Sequence, residues 1–460
     1  ERSAKKATLF VQGEKLDISG LRQRCRLLLA EVKPVQEVLD IVQAGVLSDM
    51  TLSSSGETLK QIGKNVKLKA VLNQGTVVVP EPKLDLTDIQ GTVAINENIL
   101  TGRGFSASLH QARARNGTMS MALNRHVRPF SLETDITGPA AQIPPILQQS
   151  VDSRPFLQEL AKVSDVQGTI NGTLRLNRDQ EHSMQVFVQA RELDIRARYA
   201  PLPFALQASG GRFAYTDTAL SGQGIELEFG QSRIQGLDFE LALKPSLDLE
   251  YDLRGADLNW QELFPWLAGS DFCRTNLPGL GSVNGSVHLG SMTFEGPPGA
   301  LAQCSYRAQG RIQDLVLHQE GLPGPVRLDS GSFDLQQGKV QLDRCRLRFL
   351  DAQGRLEGWV ATRADPKPSF DLSFEGNLGR KAGEWVVNRA ELPQAFKLQT
   401  PMKIQESRIV RSADSLELRL KALVNSAVHL DLDLVHTAGS LHIPTLALQD
   451  QDSKASLAVT

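Results

Sequence analysis

The stretch Leu247-Asp248-Leu249-Glu250-Tyr251-Asp252-Leu253-Arg254 alternates without a break. Leu247, Leu249, Tyr251 and Leu253 fall on one side of an extended chain, and Asp248, Glu250, Asp252 and Arg254 on the other. Successive side chains of a strand point to opposite faces, so a period of two predicts a strand with one dry and one wet face. The same pattern extends outward. Val186/Val188, Ile225/Leu227/Phe229 and Leu237/Phe239/Leu241/Leu243 precede the stretch; Phe333/Leu335, Phe370/Leu372/Phe374, Leu416/Leu418/Leu420 and Leu430/Leu432/Leu434 follow it.

A longer period lies beneath the short one. Segments opening on Gly91-Thr92-Val93, Gly211-Arg212-Phe213 and Gly331-Ser332-Phe333 are 120 residues apart, and each is followed by a turn, a second alternating run and another Gly-bearing turn. Gly168-Thr169-Ile170-Asn171-Gly172 and Gly281-Ser282-Val283-Asn284-Gly285 form a second related pair, offset by 113. Self-similarity at fixed spacing marks a repeat architecture. The sequence therefore divides into an N-terminal β-rich unit with a short helix (1–90) and β units at 91–210, 211–330 and 331–460, the last truncated, within one continuous elongated domain.

Asn116-Gly117, Asn171-Gly172 and Asn284-Gly285 supply residues that tolerate positive φ, and are expected to be hairpin turns between antiparallel strands. The period changes to about 3.6 at Val35/Val38/Leu39/Val42, at Phe156/Leu157/Leu160/Val163 behind Ser153 and Pro155, and at Leu263/Phe264/Leu267 behind Asn259. Each predicts a short helix. A few helices of roughly ten residues cannot cover the dry faces of twenty or more strands.

The totals narrow the function classes. The chain has 460 residues, 50 Lys+Arg against 52 Asp+Glu and 41% apolar residues, a globular composition with almost no net charge. Nucleic-acid affinity comes mainly from clustered cations, so nucleic acid is not an expected partner. Aromatic residues are only 5%, which argues against a sugar-stacking platform. No stretch of about 18 uncharged apolar residues is present to cross a bilayer as a helix. The chain opens on Glu1 with no signal-like segment, as a processed or excised piece would.

Reactive groups do not converge in the sequence. There is no Gly-x-Ser-x-Gly, no phosphate-binding Gly-Lys-Ser/Thr loop and no His-Glu-x-x-His, and the eight histidines are scattered. No catalytic residue, metal ligand or cofactor is expected, and the reading is of a protein that is not an enzyme. Cys304 and Cys345 fall on candidate strands of one unit, where a disulfide and two buried thiols fit equally. Arg22/Arg24/Arg26 and Arg344/Arg346/Arg348 read as cationic ladders on strand faces, suited to a wet exterior or to anionic headgroups.

Two arrangements satisfy so many one-faced strands. The sheet can fold on itself into successive sandwiches or barrels, or it can stay open as a trough with a dry inner side. About twenty-four strands at ~4.8 Å would extend on the order of 110 Å. The inward residues are mostly Leu, Val, Ile and Phe, which suits undirected contact with hydrocarbon. The expected fold is mainly β: a long, curved, largely antiparallel repeat-built sheet forming an open hydrophobic groove, with a few short helices. Phospholipid acyl chains are the expected occupant, and Ile225, Leu227, Phe229, Leu237, Phe239, Leu241, Leu249, Tyr251 and Leu253 the expected lining. The alternatives are an assembly or adhesion scaffold of self-contained β-domains that binds protein partners, and a carbohydrate-active parallel β-helix, which the 120-residue period disfavours.

The Gly-Thr-Val and Gly-Ser-Val strand starts, the amphipathic run Ile225 to Leu243, and the helical inserts after Asp135-Ile136-Thr137-Gly138 and Leu253-Arg254-Gly255-Ala256-Asp257-Leu258 together resemble the bacterial AsmA-like family. The likeness spans most of the chain and rests on patterns of alternation and glycine. It implies a periplasmic β-rich body, anchored in the inner membrane by an N-terminal segment not in this sequence. It also implies a bridge-like role in moving phospholipid between the inner and outer membranes.

Overall fold

The computed structural model describes residues 6–22, 41–79, 84–123, 129–150, 153–178, 185–270, 273–274, 277, 279–298, 303–336, 338–361, 369–389, 400–437 and 440–459. The chain is mainly β, as alternation requires. Among the described residues 25 strands belong to one antiparallel sheet that does not close, accompanied by short helices. The strands open with β1 (Ala7–Gly13), β2 (Leu16–Asp17), β3 (Val42–Gly56), β4 (Lys67–Val79), β5 (Leu84–Asn96), β6 (Ile99–Leu109), β7 (Ala112–Ala122) and β8 (Phe130–Pro139). They continue as β9 (Val163–Arg178), β10 (Gln185–Tyr199), β11 (Ala205–Thr216), β12 (Ala219–Phe229), β13 (Ser232–Ala242), β14 (Asp248–Asn259), β15 (Leu280–Gly296) and β16 (Ser305–Gln319). The last are β17 (Val326–Gln336), β18 (Lys339–Phe349), β19 (Ala352–Ala361), β20 (Phe370–Leu378), β21 (Met402–Arg411), β22 (Ser415–Val424), β23 (Val428–Thr437), β24 (Ser440–Gln449) and β25 (Lys454–Val459). The helices are α1 (Leu59–Lys64), α2 (Ile143–Ser150), α3 (Arg154–Leu160), α4 (Trp260–Ala268) and α5 (Arg380–Arg389).

The repeat is six strands long. β6, β12 and β18 start at 99, 219 and 339, and β7, β13 and β19 at 112, 232 and 352, so both series step by 120. After the fourth strand of each repeat (β8, β14, β20) the chain forms helix before the fifth strand begins: α2 and α3, then α4, then α5. The backbone repeats as well. The tips of the second hairpin in each repeat, His110, Gly230 and Leu350, have φ of 53°, 56° and 54°. Gly104, Gly224 and Arg344, also 120 apart, have φ of 58°, 63° and 50°. Residues 91, 211 and 331 lie inside the equivalent strands β5, β11 and β17.

By compactness the chain forms two units. One holds residues 1–200, 206–225 and 240–247, the other 201–205, 226–239 and 248–460. In the first, β3 to β10 pair in chain order, and β1 and β2 both pair with β3. Its buried residues include Leu100, Met121, Leu123, Phe130, Leu132 and Leu176 in one cluster, and Ile18, Leu72, Ile89 and Ala107 in another. In the second unit β14 to β25 pair in chain order. Its main cluster runs from Leu253 through Val287 and Ile312 to Cys345, and another centres on Met402, Ile404 and Ala422.

Two expectations are corrected, and a third falls almost wholly outside the described residues. Asn116-Gly117, Asn171-Gly172 and Asn284-Gly285 lie within β7, β9 and β15, not at hairpin turns. Asn116 has φ 56° and Gly285 φ 111°, beside register shifts at Arg115/Thr118 and Asn284/Ser286. The positive φ is thus used by bulges that bend long strands. At Gly172 a Cβ would meet the Gln189 carbonyl oxygen at 2.1 Å, so strand approach demands glycine there. Of the helix read at 35–42 only Ile41 and Val42 are described: Ile41 is helical and Val42 opens β3. Arg22 belongs to a helical turn from Ile18 and not to a strand ladder, while Arg24 and Arg26 lie outside the described residues.

The other two helices fall where their spacing places them. Asn259 caps α4, its side chain accepting from the Gln261 N–H at 3.0 Å, and Pro265 sits inside the helix. α3 carries proline in its first turn, but Ser153 makes no side-chain cap bond. Cys304 and Cys345 are buried thiols. Cys304 donates to the Pro297 carbonyl at 3.3 Å, and Cys345 lies over Gly331 and reaches the Ser332 and Asp343 carbonyls at 3.8 Å.

Candidate functional site

The strand register carries the apolar pattern from strand to strand. In the second unit the residues directly opposite one another run Ala256, Leu289, Gly310, Phe333, Leu342, Gly358, Leu372, Ile409, Leu418, Leu434, from β14 to β23. No polar side chain interrupts this row. Ten strands at ~4.8 Å give it a length of about 43 Å. A parallel row, Leu253, Met292, Ala308, Leu335, Val340, Val360 and Phe370, spans β14 to β20 on the same face. The glycines have a packing role, since a Cβ on Gly310 would meet the Phe333 ring at 2.9 Å and one on Gly354 the Phe374 ring at 2.6 Å. The Phe333 ring lies across the bare backbone of Gly310 directly opposite it, and the Phe374 ring across that of Gly354, two residues along from its own partner Leu356.

Burial is graded along the strands. Leu315, Leu328, Ile404 and Ala422, in rows nearer the strand ends where the helices attach, are buried. Phe333, Leu335, Leu342, Leu372, Ile409, Leu418 and Leu434 are only half-buried. A sheet face sealed by a second protein layer would bury such residues as a core does. Helices cover parts of the face. Phe264 of α4 is buried in the main cluster with Trp260 and Ala268 beside it, and Trp385 of α5 meets Phe349 edge-on at 5.0 Å.

The nine expected lining residues divide between the units. Ile225 and Leu241 belong to the first; Leu227, Phe229, Leu237, Phe239, Leu249, Tyr251 and Leu253 belong to the second. Ile225 and Leu253 are 3% and 4% exposed and the remaining seven half-buried. Within the second unit Leu237 and Tyr251 pack against the cluster that contains Leu253. Phe229 instead stacks on Phe204, with centroids 6.3 Å apart. Sequence reasoning missed the continuation through β15 to β23. The alternating runs at 333–335, 370–374, 416–420 and 430–434 were its visible signal, but alternation in one strand cannot say which residue of the next strand lies opposite.

Tyr251 shows how dry the face is beside β15. Its ring stacks on Phe294, its hydroxyl reaches only the Met292 thioether at 3.6 Å, and burial pushes its phenol up to about 12. The other face is wet and charge-balanced. Arg307 pairs with Asp334 at 3.1 Å, Arg254 with Asp238 at 2.9 Å, and Arg408 with Asp371 at 2.7 Å. Hydrogen bonding from Arg408 holds the Asp371 carboxyl below the usual range. The Arg344/Arg346/Arg348 ladder is partly neutralised, because Arg344 pairs with Asp343 and Arg348 with Asp329, while Arg346 lies opposite Arg355.

The first unit has its own apolar row: Ala70, Val93, Gly102, Met119, Leu132, Leu176 and Val186, from β4 to β10. At one end of its strands a cavity of about 640 Å³ is lined by Lys64, Glu97, Ile99, Leu123, Phe130 and Arg178 among others. His288 and Asp257, 2.7 Å apart, and Ser282 and His318, 2.9 Å apart, are cross-strand polar pairs. Among the described residues no three His, Cys, Asp or Glu side chains gather as a metal site would require.

No family of known proteins matches the chain, and neither does any curated protein or solved structure.

Proposed function

We propose that the apolar face carries the acyl chains of phospholipid while the headgroups stay at its open side, and that lipid moves along the rows between two membranes. The observation that carries this reading is the row from Ala256 to Leu434, which runs across ten strands with no polar side chain and is only half-buried beyond Ala256 and Leu289. A methylene gains about 0.8 kcal/mol on leaving water for such a surface, so two long chains gain more than ~20 kcal/mol. The row offers an apolar surface at every strand. A chain that slides by one strand spacing exchanges one set of aliphatic contacts for another, so no deep well holds it. The resemblance to AsmA-like proteins supports a place in the bacterial envelope, between inner and outer membranes, with no covalent chemistry in the transport step.

Neighbouring residues on opposite faces provide the test. Leu342 lies in the apolar row, and Gln341 points to the wet face beside it. A photoreactive side chain at Leu342 should label phospholipid when the protein is incubated with phosphatidylglycerol and phosphatidylethanolamine vesicles, and one at Gln341 should not. Equal labelling from both, or none from either together with no phospholipid in native mass spectra, would remove the proposal.

A further inference from the structure

β1 pairs with β3 along one edge only, from Ala7 opposite Gly56 to Gly13 opposite Met50. Among the described residues no strand lies along its other edge, so a row of backbone N–H and C=O groups there faces outward. Natural sheets blunt such edges with charge, proline or bulges, because a bare edge is a template for another strand. β1 has none of these: Ala7-Thr8-Leu9-Phe10-Val11-Gln12-Gly13 carries no charge and no proline, and its register with β3 is unbroken. Leu9, Phe10 and Val11 are 45%, 64% and 40% exposed. Exposed backbone hydrogen-bonding groups between exposed apolar side chains on both faces are what a pairing strand requires.

We propose that this edge is a self-association site, where β1 of a second copy pairs antiparallel with β1 about a two-fold axis through Phe10. The sequence itself selects the occupant. Read in either direction, β1 runs small, polar, aliphatic, aromatic, aliphatic, polar, small. Reversal therefore places Phe10 opposite Phe10 of the second copy, Leu9 opposite Val11, Thr8 opposite Gln12 and Ala7 opposite Gly13, so like meets like at every position. The faces match too. Leu9 and Val11 lie on the side of Ser54 and Leu52 of β3, and the two-fold keeps both copies' Leu9 and Val11 on one side of the joined sheet. β25, which among the described residues pairs with β24 alone, carries Lys454 and lacks this symmetry.

Sedimentation of the full chain over a range of concentrations tests the pairing. The wild type should pass from 50.3 kDa to twice that mass. Phe10→Lys and Phe10→Glu should each weaken the dimer at least ~tenfold, because each sets like charges opposite one another on the axis. An equimolar mixture of the two variants should restore it, with unchanged circular dichroism throughout. A wild type that stays monomeric would overturn the proposal, as would a dimer indifferent to both substitutions or a mixture that stays apart. A mass climbing past two chains would do the same, since that is the signature of β1 pairing head to tail with β25.

Discussion

Tyr251 and Phe294 stack across β14 and β15, ring centroids 5.3 Å apart and planes within 8° of parallel, as directly opposed residues. Phe294 is in turn opposite Tyr306, so three aromatic side chains cross three adjacent strands. The stack removes the Tyr251 phenol from water and gives its hydroxyl only a thioether to address. A raised folded-state pKa means that the protonated form is favoured by folding. The contribution is fully present below the unfolded value near 10 and is lost as pH rises toward about 12. Stability should therefore fall over that window, on the order of 2 kcal/mol of it from Tyr251. In Tyr251→Phe that part of the alkaline loss should vanish, and one late-ionising phenol should disappear from an ultraviolet titration. An unchanged alkaline limb would show that the ring is reached by water.

Truncating the rows should reveal how far the face is filled by protein. Leu328 is 7% exposed within the main cluster, and Leu328→Ala should cost about 2–5 kcal/mol as a core deletion does. Leu342 lies in the half-buried row, so Leu342→Ala should cost only about 1 kcal/mol, because solvent already reaches the site. The difference should appear as a larger shift in urea midpoint for Leu328→Ala. Equal shifts would mean that Leu342 is sealed under a second layer and that the face is a closed core.

Strand identity was legible because alternation is a local property: Leu249, Tyr251 and Leu253 share a face whatever lies beside them. The 120-residue period was legible for the same reason. The asparagine-glycine pairs were misread because a turn and a bulge ask the same φ of Asn116 or Gly285, and only the strand's continuation on both sides separates the two. α5 escaped notice because Arg380, Lys381, Glu384 and Arg389 surround Trp385 and Val386 and make the segment polar on average. Of the candidate site, the alternating apolar residues of β12 to β14 could be named, but the row to Leu434 depends on register. Register is set by bulges such as that between Leu342 and Cys345, which no single strand announces.

Arg344 occupies a position where the equivalent residues of the two preceding repeats are Gly104 and Gly224, and all three have positive φ. A side chain in that region costs on the order of 1 kcal/mol, which glycine avoids. The exposed pair with Asp343 offsets little of this. Arg344→Gly should raise stability by about 0.5–1 kcal/mol, and Arg344→Ala should not, measured by urea midpoint. A loss with glycine would mean that the arginine contributes more than its dihedral costs.

Asp351, in the turn between β18 and β19, holds the start of α5 from 30 residues away. Its Oδ2 accepts the Lys381 N–H at 2.9 Å and its Oδ1 the Ala382 N–H at 2.8 Å. The preceding repeat joins the same two places with the roles reversed: the Gln231 N–H at the hairpin tip donates to the Glu262 carboxylate of α4 at 2.8 Å. Burial alone would raise the Asp351 carboxyl, but the N–H groups of Ala382 and Lys381 outweigh it and hold it below the usual range. A depressed folded-state pKa stabilises above the unfolded value near 3.9, and that stabilisation is lost as pH falls through the folded value. Asp351→Ala should thus lower stability by about 1 kcal/mol at pH 7, as removal of a helix cap does. The gap between wild type and variant should narrow below about pH 4, because protonation weakens the cap in the wild type alone. Thermal midpoints of the two proteins at pH 7 and pH 3 decide it. A gap that stays constant would mean that the aspartate supports the turn by shape and that its charge has no part in seating the helix.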